Sequence, residues 1–225
     1  MESLNFFENK QHNEFQGKNV LITGATGGIG SITTELSVKM KANVIVTSRS
    51  DKKVSQKLGN VVKKDNFDRE IINFESPGSI NRGFVSIMEK FGGRIDIIII
   101  SHALFKVGKL METGIDAFDS TLNVNVRSIF HLISMASPFL KLSKGNVVVL
   151  SSVESFIPIS MSFLNSVSKV IFFIFLFNKK FKFYTYLNIE YVKFFNSMFC
   201  FRISSIWSKS KRNSPRSNKY WNQNF

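Results

Sequence analysis

The 225-residue chain has a single cysteine, Cys200, no glycine after Gly145 and no alanine after Ala136. One thiol cannot close an internal disulfide, so neither cross-linking nor an oxidising compartment is implied. The start, MESLNFFENKQ, is acidic and polar where a secretory leader would be basic and then apolar. The apolar run Val170 to Phe177, VIFFIFLF, is eight residues long and is followed at once by Asn178, Lys179 and Lys180. A membrane-spanning helix needs about 20 such residues. A buried strand or helix is the simpler reading of this run, and an interfacial segment with a basic flank is the alternative. The expectation is a cytoplasmic protein with no membrane span.

Acidic residues are scarce in one region only. The formal net charge is +14, and residues 178–225 hold ten Lys or Arg against one acid, Glu190. So large an excess attracts polyanions, but without a recognition module it gives only salt-sensitive, non-specific attraction. No specific nucleic-acid partner is therefore expected.

What remains is organised in two parts. Up to Lys169 the chain alternates strand-like and helix-like segments. Residues 170–201 are dominated by Phe, Lys, Asn, Ile and Tyr and lack the Gly, Pro or Asp that turns between packed elements require. Three regions follow: an N-terminal extension over 1–15, an α/β domain over 16–169, and a basic tail over 170–225.

Asn19 to Thr23 is apolar on both faces, as a buried parallel strand must be, and Ser31 to Met40 has helical period. Between them lies Gly24-Ala25-Thr26-Gly27-Gly28-Ile29-Gly30. Glycine there tolerates positive φ and lets the backbone approach a pyrophosphate, while the free N–H groups of the helix start bind the anion. A structural turn is the alternative; the flanking strand and helix favour phosphate binding. NVIVTSRS reads as the second strand, EIINFES as the third with Asn73 at its end, and RIDIIIISHA as the fourth, ending at Ser101-His102-Ala103. The intervening helices are DKKVSQKLGNVV and SINRGFVSIMEKFGG. After the second strand stand Thr47, Ser48 and Arg49, with no carboxylate to bond ribose hydroxyls. An arginine fork suits the extra phosphate of NADP. A solvated surface arginine is the alternative, which leaves NAD possible.

The segments TGATGGIG, RIDIIII, LNVNVRSIF and GNVVVLSSV, in that order, resemble the short-chain dehydrogenase/reductase family over about residues 16–169. The resemblance implies a Rossmann-type, doubly wound parallel sheet, incomplete on its C-terminal side in this chain. It implies hydride transfer between NADP(H) and a small-molecule carbonyl or alcohol. The cofactor-binding set is Thr23, Gly24, Thr26, Gly27, Gly28, Ile29, Gly30, Ser48, Arg49, Asn73, Ser101 and Lys169. The catalytic set carries over as Asn125, Ser152 and Lys169. The family's tyrosine, the acid/base group, falls on Asn165, by counting back four from Lys169 and forward from Ser152.

An amide cannot donate and recover a proton at neutral pH. Activity is therefore expected to be impaired, and a cofactor-binding pseudoenzyme is the alternative. His102, in place of the family's asparagine-rich turn, is a candidate substitute acid set against a packing role. The tail tyrosines Tyr184, Tyr186 and Tyr191 lack a lysine four residues on. The family's sixth strand, substrate loop and seventh strand are not recognisable after Lys169. The tail reads as translated intron or shifted frame, making the chain a truncated or mis-spliced product; a diverged, selected tail is the rival reading. The homo-oligomer usual in the family is weakened as an expectation for the same reason. His12 and His131 lack ligand spacing, no metal site is expected, and Glu112 with Asp116 reads as a solvated helix face.

Overall fold

The computed structural model describes residues 14–157, 159–176 and 183–188, with side chains for 14–157 and 159–171. Strands β1 (Asn19–Thr23), β2 (Asn43–Ser48), β3 (Phe67–Ile71), β4 (Ile97–Ile100), β5 (Asn146–Ser152) and β6 (Phe183–Asn188) form one sheet. Their order is β3-β2-β1-β4-β5-β6, and every neighbouring pair is parallel. Helices α1 (Gly28–Lys39), α2 (Asp51–Lys57), α3 (Pro77–Lys90), α4 (Ile115–Leu122), α5 (Ser128–Ser143) and α6 (Phe163–Leu176) connect them. The chain reverses direction across the sheet between β1 and β4, which opens a crevice at the strands' carboxyl ends.

The apolar strands serve two cores. Leu21, Ile45, Ile98, Val147 and Val149 point to one face and pack on Ile80, Phe84 and Ile87 of α3 and Ile129, Leu132 and Ala136 of α5. Their neighbours Val20, Ile22, Val44 and Val46 point to the other face with Val38, Val54 and Leu58. A strand buried on both sides must be apolar at every position, which is why β1, β2 and β4 are legible as continuous runs.

The third strand is a correction. It is Phe67–Ile71 rather than the EIINFES segment, and Asn73 lies two residues past its end. β3 is an edge strand whose charged side chains are paired outward, Arg69 with Asp51 at 2.5 Å and Glu70 with Lys90 at 3.0 Å. The buried Ile72 and Phe74, which suggested a strand, enter the core from the loop beyond it.

The tail reading also changes. α6 runs past Lys169 to Leu176, so the boundary drawn at 169 falls inside a helix, and β6 pairs with β5 from Val147–Phe183 to Ser152–Asn188. A sixth strand therefore exists where none was recognised, and no seventh occurs among the described residues. The rest of the basic tail, including Tyr191 and Cys200, lies outside the described residues, as does His12. No helix among the described residues is long and apolar enough to cross a membrane, and none of them forms a group of three potential metal ligands.

Candidate functional site

At the end of β1 the backbone turns at Gly24 with φ of 65°. A Cβ there would lie 2.6 Å from the backbone nitrogen of His102, and one at Gly30 would run into the Gly24 carbonyl. Those two glycines fit the loop against β4 and α1. Gly28 is different, since a Cβ on it would meet nothing within 4 Å. Gly27, Gly28 and Ile29 are exposed, Thr26 is half-buried, and α1 begins at Gly28 with no side-chain cap and no acid in its first turn. A positive helix end with open backbone in front of it forms a cradle of the kind that can receive an anion.

The turn after β4 closes the back of this cradle. Ser101 N–H donates to the Thr23 hydroxyl at 3.2 Å, and Thr23 Oγ1 lies 2.7 Å from His102 Nδ1. His102 Nε2 lies 2.9 Å from Ser128 Oγ, whose own proton goes to the Val124 carbonyl at 2.6 Å. Ser128 must therefore accept, so His102 carries its proton on Nε2 and Nδ1 accepts from Thr23. Burial, with the Lys169 charge adding to it, pushes the imidazole pKa down to about 3. The ring also stacks on Phe74 at 3.8 Å. His102 is thus a neutral, fully engaged link between β1, β4 and α5, and the packing role prevails over that of a substitute acid.

Asn125 sits in a π-helical turn, Asn123–Arg127, between α4 and α5. Its Oδ1 accepts from Leu104 N–H at 2.7 Å, and its Nδ2 donates to the Leu104 carbonyl at 2.9 Å and to Ser168 Oγ at 3.1 Å. It joins the β4 loop to α6. On α6, Asn165 and Lys169 share a face one turn apart, and both are buried. Lys169 Nζ donates to the Leu150 carbonyl at 2.9 Å. Burial pushes this lysine down to about 8, with the Glu154 charge opposing the shift. Ser152, at the end of β5, accepts from Glu154 N–H at 3.3 Å. The Asn165 amide donates to Glu154 Oε2.

Glu154 is the member that sequence reading missed. Nothing in its local pattern marks it, because its partners lie 11 and 15 residues away on α6. A groove of about 640 Å³ lined by Asp119, Asn123, Arg127 and Phe130 includes none of these site residues.

The sequence profile of the family described as "short chain dehydrogenase" matches residues 18–178, most of the chain and beyond Lys169. The chain belongs to the short-chain dehydrogenase family. An uncharacterised oxidoreductase of Staphylococcus saprophyticus is 26% identical over 161 residues, which are 69% of this chain and 68% of that protein. The 3-oxoacyl-[acyl-carrier-protein] reductase FabG of Thermotoga maritima is 29% identical over 144 residues, 61% of this chain and 56% of the reductase. A second Thermotoga maritima protein, an uncharacterised oxidoreductase, is 31% identical over 156 residues, 69% and 61% of the two chains. The chain thus spans about 56–68% of the length of these relatives. Among solved structures, a short-chain dehydrogenase/reductase of Brucella melitensis superposes with a TM-score of 0.64 at 20% identity, over 70% of this chain and 66% of that one. That likeness bears on fold alone.

The other sites expected of a short-chain dehydrogenase are distributed along the same crevice edge. Ser48 is buried at the end of β2, its hydroxyl engaged with Ser50. Arg49 follows it and is exposed. The nearest acid along the chain, Asp51, is held by Arg69. Asn73 is exposed and caps its own turn by accepting from Glu75 N–H at 3.0 Å.

Proposed function

We propose that the chain is an NADP(H)-dependent oxidoreductase acting on a small carbonyl or alcohol, with proton transfer impaired by Asn165. The observation that carries this reading is the shape of the glycine loop. Gly24 and Gly30 are tightly packed, whereas Gly28, at the uncapped helix start, has open space in front of it. A structural turn has no need of that open side.

In this reading the first-turn N–H groups of α1 hold the pyrophosphate. Arg49 meets the ribose phosphate, since the nearest acid along the chain, Asp51, is already paired with Arg69. When bound, the nicotinamide ring supplies or takes up a hydride. Asn125 fixes the Leu104 loop to α6 and so sets the distance between the β4 turn and Lys169. Ser152 and the Asn165 amide can hydrogen-bond a substrate oxygen, but neither delivers a proton as a phenol would.

Titration of NADPH and NADH against the chain and against Arg49→Asp tests the reading. Tighter NADPH binding that is lost in the variant supports it. Equal affinities sink the preference, and no binding of either sinks the oxidoreductase assignment. The second reading, a nucleotide-binding protein without turnover, is favoured by Asn165 itself and is distinguished by assaying the loaded chain.

A further inference from the structure

We propose that the substrate of this site carries an uncharged apolar chain, received by a rim that the connections after β4 and β5 build beside Ser152 and Asn165. The proposal names the substrate class for the reading above and rests on it. Its basis is the place at which apolar side chains stand in water. Phe105, Val107, Leu110 and Met111 lie in the connection that follows β4, and Ile157 and Met161 in the one that follows β5. All six are exposed, Met111 at 93%, Val107 at 69% and Ile157 at 64%.

The fold makes one rim of the two connections. Gly108 N–H donates to the Met161 carbonyl at 2.8 Å, and Gly108 forms a parallel bridge with Ser162. Asn125 holds the first connection at Leu104 through both atoms of its amide. In the second, Ile157 N–H donates to the Val153 carbonyl at 3.0 Å, directly after Ser152, and Met161 stands one turn ahead of Asn165 in the chain. Both connections leave the carboxyl ends of their strands, the edge of an open parallel sheet at which ligands bind. Exposed apolar side chains gathered at such an edge mark a surface that a ligand covers.

Charge separates an apolar substrate from an anionic one. Residues 155–168 contain no ionisable side chain, in a chain whose net charge is +14. In the connection after β4, Lys106 is turned to the Ser120 hydroxyl of α4 at 2.7 Å, and Lys109 is paired with Glu112 at 3.7 Å. Lys169 is buried, with its Nζ on the Leu150 carbonyl. A carboxylate or phosphate laid on this rim would lose water without meeting an unengaged cation of either connection, whereas each methylene laid there leaves water at a gain.

The test titrates 2-hexanone, 2-octanone and 2-decanone into the full chain saturated with NADP and reads affinity by calorimetry. Affinity should rise about threefold per added methylene, and 9-oxodecanoate should bind about tenfold more weakly than 2-decanone at neutral pH. The Met111→Ser/Ile157→Ser double variant should cut the gain to about 1.5-fold per methylene or less while the NADP Kd stays within about twofold. Leu142→Ser removes an equally exposed side chain near the end of α5, where the chain enters the opposite edge of the sheet, and should leave the threefold gain intact. The gain per methylene compares ligands on one protein, so a general loosening of the fold does not imitate its loss. Equal affinities along the series, tighter binding of the oxo acid, no ketone binding by a chain loaded with NADP, or the same loss in Leu142→Ser each overturns the proposal and leaves the dinucleotide site standing. Sedimentation showing that the double variant dissociates a dimer without altering ketone binding gives the rim to a second copy and overturns it as well. Failure of the parent to bind NADP removes both readings.

Discussion

Gly24 and His102 are packed backbone to backbone: a Cβ on the first would stand 2.6 Å from the nitrogen of the second, at a residue whose φ is 65°. The glycine loop is therefore built around the turn after β4, and its glycines are not equivalent. Gly24→Ala should destabilise the fold by about 2 kcal/mol or more, combining left-handed strain with a backbone clash. Gly28→Ala should leave the melting temperature unchanged yet weaken NADPH by about tenfold, because the methyl projects into the ligand's space. Thermal melts and nucleotide titrations of the two variants separate these effects.

Arg49 is expected to favour NADPH over NADH by about 1–2 kcal/mol through charge-assisted bonds to the ribose phosphate. Arg49→Asp should reverse the order, as seen in fluorescence titrations of both nucleotides.

Restoring the phenol should have an effect that depends on Glu154. Asn165→Tyr alone sets the hydroxyl beside a carboxylate, which opposes its ionisation and counters Lys169. Carbonyl reduction should therefore rise little in the single variant. In the Glu154→Ala/Asn165→Tyr double variant it should rise by about 10²-fold or more, first with small carbonyls. Equal rates in the two variants would show that Glu154 does not act on residue 165.

Stability should fall in mild acid because of His102. Its folded pKa of about 3 lies below the ordinary 6.5, so between these values the unfolded chain binds more protons and stability falls as pH falls. From pH 7 to pH 5 the loss attributable to this one group is about 2 kcal/mol. Urea melts at both pH values measure it. His102→Asn should flatten the dependence, whatever it costs at neutral pH.

Some of this protein is written in short stretches of chain. The β1–glycine–α1 unit and the strands β2, β4 and β5 were legible because apolar periodicity is a local property, set within about ten residues; fixed spacing likewise named Asn125, Ser152 and Lys169 as candidates. β3 was misplaced by three residues because an edge strand need not be apolar, and the neighbouring Ile72 and Phe74 mimic one. β6 was not legible because pairing with β5 across the sheet, rather than punctuation of its own, defines it.

The site divides in the same way. The sequence by itself placed a glycine-rich turn between the first strand and helix, and an asparagine four residues before Lys169 where the family resemblance puts a tyrosine. It left open what that asparagine does and whether His102 could replace the lost acid. Tertiary structure supplied the partners of each. It buries His102 between two hydroxyls in its neutral form, and it brings Glu154 from the end of β5 against Asn165 and Lys169 on α6. Proton chemistry depends on burial and on partners within a few ångströms, and those are set by how β5 and α6 pack, which no short stretch of sequence records.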